Sequence, residues 1–251
     1  MNLESEGLHI PESLIAALRD ARSVAVLTGS GVSAESGVPT FREAQTGLWA
    51  RFDPQELATP EAFARDPRLV WEWYTWRREL VDAAAPNPGH KALAELERYV
   101  AQFVLITQNV DGLHRRAGSQ NVVELHGNIR RSKCSREGDV AEPHEDDKDV
   151  PPSCPRCGAF LRPDVVWFGE SLPADALSEA FDAARSCELF ISAGTSGLVQ
   201  PAATLPFEAL NAGAMVVEVN PNETPLTRHV DHSLRGRAGE VLPGLVKTVY
   251  G

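Results

Sequence analysis

The sequence predicts an α/β fold, an open parallel sheet doubly wound by helices with a smaller lobe inserted into it. Three observations carry that expectation. Short apolar runs rich in β-branched residues recur along the chain with helical patterns between them, as in parallel strands joined by crossover helices. The first run ends in closely spaced glycines, which suits a strand-to-helix turn. Two stretches, 45–85 and 130–161, break the alternation and read as insertions.

Taken in order, 11–22 carries Leu14, Ile15 and Leu18 at helical spacing, and 24–28 is the first β-branched run. Further strands are expected at 103–107, 122–125, 165–168, 189–193 and 215–219, and helices at 90–99, 174–185 and 201–212. One domain of 251 residues follows. Its main lobe is expected to use 1–44, 86–129 and 162–251, with a helical insertion at 45–85 and a cysteine-containing one at 130–161.

The chain is 43% hydrophobic with a formal net charge of −11. That acidity argues against nucleic-acid binding. No run reaches the roughly 18 apolar residues of a membrane span, and the first residues lack the basic and apolar regions of a secretory signal. A cytoplasmic monomer is expected. Its four cysteines are then reduced or metal-bound rather than paired.

Gly29, Gly31 and Ala34 satisfy the loose G-x-G-x-x-G/A spacing of a dinucleotide phosphate loop. A hydride-transfer enzyme should next show a second apolar strand and an acidic ribose ligand. Here 40–60 holds no β-branched run, and Asp53 is followed by Pro54. A dehydrogenase is therefore disfavoured. Other polar groups fall after expected strands: Gln108, Asn109 and Asp111 around Val110, then His126, then Gly194, Thr195 and Ser196, then Asn220. Open parallel sheets bind ligands beyond the carboxyl ends of their strands. So many polar groups on one edge indicate a site rather than separate turns and caps.

At these residues the chain resembles the sirtuins, NAD-dependent protein-lysine deacylases with a Rossmann-like lobe. The resemblance rests on Gly29-Ser30-Gly31-Val32-Ser33, Ser36-Gly37-Val38-Pro39 with Phe41-Arg42, Thr107-Gln108-Asn109-Val110-Asp111 with Leu113-His114, Leu125-His126-Gly127, and Gly194-Thr195-Ser196. Thr40 is similar to the desuccinylase-type branch, and Ser30 departs from the usual Ala. The resemblance implies that Gly29, Ser30, Gly31 and Ser33 meet the pyrophosphate, while Phe41 and Arg42 shield the nicotinamide. It implies Gln108 and Asn109 at the nicotinamide ribose, with Val110 and Asp111 beside the carboxamide. Gly194, Thr195 and Ser196 are implied at phosphate or ribose, Asn220 and Asn222 at the adenosine ribose, and Ala238 at the adenine. NAD is then consumed. The acyl oxygen attacks the ribose carbon that bears nicotinamide, which leaves; His126 acts as general base for attack of a ribose hydroxyl on the acyl carbon, and water then releases lysine and O-acyl-ADP-ribose. Imidazole suits proton removal near neutral pH. His114 reads as a packing or capping residue.

The resemblance further implies that an acylated lysine peptide is added as a strand between Val166-Trp167-Phe168-Gly169-Glu170 and Leu198-Val199. Tyr74 and Arg77 share a helix face by spacing. A planar guanidinium and a phenol can hold the distal carboxylate of a succinyl, malonyl or glutaryl group. By spacing alone, an arginine lying along an aromatic core helix is the plainer reading; the resemblance reverses that. Ala58 matches the same branch, leaving room for a longer acyl chain. Cys154 and Cys157 form a CxxC knuckle, and Cys134 precedes them. Sirtuin zinc ribbons pair two such knuckles, but Glu137 stands where the second cysteine of the first should be. Glu137 or His144 is the expected fourth ligand of a structural Zn²⁺, and a degenerate, metal-free ribbon is the alternative. Two rivals remain: ADP-ribosyl transfer from the same NAD, and a non-catalytic NAD or acyl-peptide sensor.

Overall fold

The computed structural model describes residues 9–39, 53–144 and 148–251. Its strands are β1 (Ser23–Thr28), β2 (Gln102–Thr107), β3 (Val122–Glu124), β4 (Gly127–Cys134), β5 (Leu161–Val165), β6 (Leu189–Ala193), β7 (Met215–Asn220) and β8 (His232–Arg235). Six of them form one sheet in the order β3-β2-β1-β6-β7-β8, every neighbouring pair parallel. The central strands β1 and β6 are buried almost throughout, as expected of a sheet covered on both faces.

The helices are α1 (Glu12–Asp20), α2 (Ser30–Ala34), α3 (Pro54–Leu57), α4 (Pro60–Arg65), α5 (Pro67–Ala83), α6 (Pro88–Leu96), α7 (Leu113–Ala117), α8 (Ala174–Ser186), α9 (Leu205–Asn211) and α10 (Ala238–Tyr250). Leu14 and Leu18 of α1, Leu93 and Leu96 of α6, and Leu242 and Leu245 of α10 pack with Val24 and Val26 on one face of the sheet. Ala180 and Ala184 of α8 and Leu205 and Ala209 of α9 pack with Leu27, Ile106 and Phe190 on the other. Among the described residues, no helix is long and apolar enough to cross a membrane.

The described part of the 45–85 insertion is helical, and its chemistry is local. Proline opens each of α3, α4 and α5, and the preceding Asp53, Thr59 and Asp66 accept hydrogen bonds from Gln55 N, Ala62 N and Leu69 N at 2.8, 3.1 and 2.9 Å. Proline lacks an amide that the first turn cannot pair anyway, and each cap contributes about 1 kcal/mol. Asp53 is thus a cap rather than a ribose ligand.

One expected strand is corrected, and two strands, β4 and β8, were not expected. The strand expected at 165–168 lies earlier, at Leu161–Val165, and pairs antiparallel with β4 in a separate two-stranded sheet. Trp167 then turns into the helical insertion beside Phe63 and Tyr74. β4 was hidden because five of its eight residues, Asn128, Arg130, Arg131, Ser132 and Lys133, are polar. β8 is a short edge strand, and edges need little apolar surface. Cys187 is buried, and burial pushes its thiol up to about 11.

Candidate active site at the sheet's switch point

The chain leaves β1 toward β2 and β3 on one side, while β6, β7 and β8 lie on the other. The carboxyl ends of β1 and β6 therefore bound the crevice where open α/β sheets bind ligands. The two loops there touch. Gly29 N donates to Ala193 O at 3.1 Å and Gly31 N to Gly194 O at 2.9 Å. A Cβ on Gly29 or Gly31 would stand 2.8 Å from Gly194 O, and one on Gly194, whose φ is +60°, 2.6 Å from Val32 N. These glycines are thus required by the approach of two protein loops, whatever binds beside them. Ser30 opens α2 on the exposed side and Ser196 is half-buried after Thr195.

Hydrogen bonds join the remaining residues into one network. Asn109 donates through Nδ2 to Gly29 O and Ser33 Oγ, both at 3.0 Å. Gln108 Nε2 donates to Thr195 Oγ1 at 3.0 Å, and Asn220 Nδ2 to Thr195 O at 2.8 Å. Asn222, exposed, donates its amide to Asn220 Oδ1 at 3.3 Å. Val110 O accepts from Ile129 N at 2.8 Å. Asp111 is buried, accepts from Leu113 N at 2.8 Å, and so fixes the start of α7. Burial pushes its carboxyl up, against the bonds from Leu113 and Ser33. Ala238 opens α10 and is buried. Phe41 and Arg42 lie outside the described residues.

Behind this network lie two histidines, one of which the sequence did not single out. His90 Nδ1 accepts from Asn87 N at 3.4 Å, so its other nitrogen carries the proton and donates to Ser33 Oγ at 3.3 Å. His114 Nε2 meets Thr28 Oγ1 at 2.9 Å. The rings are 4.7 Å apart. Burial draws His90 down to about 4 and His114 well below its ordinary value, the latter also through His90. His114 is a packing residue, as its place in a helix suggested. His90 could have been noticed through Asn87-Pro88 ahead of it, a cap–proline pair like the others.

His126 is half-buried, and its Nδ1 lies 2.9 Å from Gln108 O. A carbonyl only accepts, so Nδ1 carries the proton and Nε2 is the basic nitrogen. Burial lowers its pKa, partly offset by that bond.

A second group of residues lies along α5. Tyr74 is sealed from solvent beside Trp73 and Trp167. The Arg77 guanidinium lies 5.0 Å from the Trp73 ring centroid and 5.8 Å from that of Tyr74. Burial lowers its pKa, opposed by Tyr74 and Asp111, yet a guanidinium remains charged. Ala58 is buried, and its carbonyl accepts from Phe168 N at 2.9 Å. Val166 N donates to His126 O at 3.0 Å, tying this segment to the histidine. Trp167 is buried, while Phe168, Leu198 and Val199 are exposed. Gly169 has a φ of +86°, and Glu170 is held by Arg162 at 2.5 Å. The Arg162 partnership was not visible in the sequence, because nothing marks that arginine before the turn at Gly169 forms.

The inserted two-stranded sheet carries a possible metal centre. Ligand atoms of Cys134, Glu137, Cys154 and Cys157 all lie within 4.8 Å of one another, and His144 is exposed and outside the group. The turns at Cys134 and Cys154 match. Gly138 N and Gly158 N each donate to the cysteine carbonyl at 2.9 Å, and both glycines have positive φ. The first knuckle therefore keeps its backbone despite bearing a carboxylate. Cys154 is drawn down to about 7, chiefly by the Arg156 backbone N–H, which suits a thiolate ligand. Three soft sulfurs and one oxygen at this spacing fit Zn²⁺.

Comparison with known proteins agrees with this geometry. The model of the Sir2 family matches residues 29–201. An NAD-dependent protein deacylase of Aquifex aeolicus is 55% identical over 229 residues, covering 91% of this chain and 94% of that protein. NAD-dependent protein deacylase 1 of Pseudomonas aeruginosa is 52% identical over 246 residues, covering 95% and 98%. The solved complex of a Sir2 homolog with NAD superposes with a TM-score of 0.89 at 50% identity, covering 98% of this chain and 96% of that one. A Sir2–p53 peptide–NAD⁺ complex gives 0.84 at 32% identity, covering 96% and 98%. With the family model spanning the loops that meet at the switch point and relatives alike over nearly their whole length, the chain belongs to the Sir2 family.

Proposed function

We propose that this chain is an NAD-dependent protein-lysine deacylase that prefers acidic acyl groups and removes acetyl more weakly. The observation that carries the reading is His126, whose Nδ1 is committed to the carbonyl of Gln108, the neighbour of Asn109, so that Nε2 is left as base. NAD supplies an activated ribose carbon with nicotinamide as its leaving group. Gly29, Ser30, Gly31, Ser33, Gly194, Thr195 and Ser196 hold its phosphates and ribose, with Gln108, Asn109, Val110 and Asp111 at the nicotinamide end, where Phe41 and Arg42 also act. Asn220, Asn222 and Ala238 take the adenosine end. His126 Nε2 removes a proton from a ribose hydroxyl so that the oxygen can attack the acyl carbon, and water then releases the lysine amine and O-acyl-ADP-ribose.

An acylated peptide lies along Val166, Trp167, Phe168, Gly169 and Glu170 on one side and Leu198 and Val199 on the other. The amides of Val166, Trp167, Phe168 and Glu170 are already bonded within the chain, so the peptide must be met by other groups, carbonyls among them. Tyr74, Arg77 and Ala58 form the acyl pocket. An acetyl group offers Arg77 no carboxylate to bind, whereas an acidic acyl group adds a charge-assisted hydrogen bond. Cys134, Glu137, Cys154 and Cys157 hold a structural zinc. Residues 1–44, 86–129 and 162–251 make the NAD lobe, with 45–85 and 130–161 as its two insertions, in a cytoplasmic monomer.

Product analysis with NAD and succinyl-lysine peptide tests the activity. Nicotinamide, free lysine peptide and O-succinyl-ADP-ribose are expected in equal amounts, with His126→Ala reducing turnover by at least about a hundredfold. ADP-ribose remaining on protein would instead indicate transfer, and no turnover in the parent a sensor. Arg77→Met should cut desuccinylation far more than deacetylation; equal losses would remove the acidic-acyl preference.

A further inference from the structure

Tyr74 and Trp167 are both buried, and Trp167 Nε1 donates to the Tyr74 hydroxyl oxygen at 3.0 Å. An indole N–H only donates, so the direction of that bond is fixed. The phenol oxygen spends a lone pair on Trp167, and its own proton must point elsewhere. Burial raises the Tyr74 pKa, so the group is a neutral phenol with that proton in place. Because Tyr74 is sealed from solvent, no bulk water takes the proton, and a group entering the pocket can.

The indole is itself clamped. The Arg162 guanidinium carbon lies 3.2 Å from a Trp167 ring centroid. Arg162 Nη1 and Nη2 donate to the two Glu170 oxygens at 2.5 and 2.9 Å, and Nη2 also donates to Val165 O at 2.8 Å. Glu170 Oε2 accepts from Trp167 N at 2.8 Å as well. Arg162 Nε is buried and has no hydrogen-bond partner among the described residues, as suits a guanidinium stacked on a π face. Phe63 contacts the same indole at 5.3 Å between centroids. A partly buried ion pair is a poor stability device, since desolvation offsets its attraction. What this one supplies is orientation, because it fixes the indole by both face and backbone.

We propose that Trp167, clamped by Arg162 and Glu170, is a specificity-determining positioning residue that makes the Tyr74 hydroxyl a committed donor to the distal carboxylate of an acidic acyl-lysine. This rests on the reading of Tyr74 and Arg77 as the acyl-carboxylate clamp. An acetyl group offers no acceptor at that place, so the oriented proton goes unpaired in a desolvated pocket. The pre-set donor therefore separates acidic from neutral acyl groups, alongside the Arg77 charge.

The test measures kcat/KM on succinyl- and acetyl-lysine peptides of one sequence for the parent, W167F, Y74F and the double variant. W167F keeps an aromatic ring beside Arg162 and Phe63 and removes the indole donor. It is expected to lower the succinyl-to-acetyl ratio by about threefold to tenfold, the value of one neutral hydrogen bond. In the Y74F background W167F should leave that ratio where Y74F alone puts it. A parent with no preference for succinyl overturns the acidic-acyl reading itself. A parent that prefers succinyl while W167F leaves the ratio alone, or adds in full to Y74F, overturns the positioning role only. An independent measurement uses tryptophan-¹⁵N-labelled parent and Y74F. One indole N–H resonance is expected to move when its phenol acceptor is lost, and superimposable indole spectra overturn the proposal however W167F folds.

Discussion

His126 has its Nδ1 proton committed to the Gln108 carbonyl, and burial holds its pKa below the ordinary imidazole value. The neutral, basic form is therefore the one present at pH 7. The pH dependence of kcat/KM reports the free enzyme's groups, so its ascending limb is expected to have a midpoint below about 6.5. A midpoint above that value would show that the pocket favours imidazolium and would remove the burial argument. At this scale the sequence was informative wherever function puts a polar group straight after an apolar run, as at Asn109 and His126. It was silent on the contact between Trp167 and Tyr74, which hydrogen-bond across 93 positions. No local pattern encodes a contact between a helix and a turn so far apart.

The histidines of α6 and α7 show how elements are coupled to pH. His90 titrates at about 4 when folded and at about 6.5 when unfolded. The unfolded chain thus binds more protons in the window between. Stability is full above about 6.5 and is lost as pH falls toward 4. Between pH 7 and pH 5 His90 alone should cost roughly 2 kcal/mol, and His114 shifts in the same direction. Urea unfolding at the two pH values is expected to show a smaller acid loss for His90→Asn than for the parent; equal losses would mean that His90 charges without opening the fold. Helices α1, α6, α8 and α9 and the helical insertion were legible from their apolar spacing, whereas α10 at Ala238–Tyr250 was not expected. β4 was not legible either, because a strand of a two-stranded sheet in a small lobe needs few apolar residues.

For the whole molecule, the inserted sheet depends on how its two knuckles are closed. Among the described residues the apolar cluster there has Cys134, Cys154 and Leu161 as its buried members, too little surface to hold a lobe on its own. One zinc per chain is expected by elemental analysis of protein purified without added metal. Cys154→Ser should lose it and expose 130–161 to proteolysis before the main sheet unfolds. Glu137→Cys should slow zinc loss to a chelator, since thiolate is the softer ligand. Metal below about a tenth of an equivalent in the parent would mean that the Cys₃Glu cluster is a ribbon closed by hydrogen bonds alone.

The sequence by itself determined the alternation of strands and helices, the glycine loop, the polar groups beyond the strand ends and the resemblance that gathers them. Those features are local or periodic, so a chain segment carries them without its neighbours. Only the tertiary structure decided the rest. It showed that Gly29, Gly31 and Gly194 are small because two loops must touch. It chose Glu137 over His144 beside the cysteines. It also turned Trp167 from an expected strand residue into the partner of Tyr74. Each of these depends on which distant surfaces meet, and that is fixed by the packing of the sheet and its insertions rather than by any single segment.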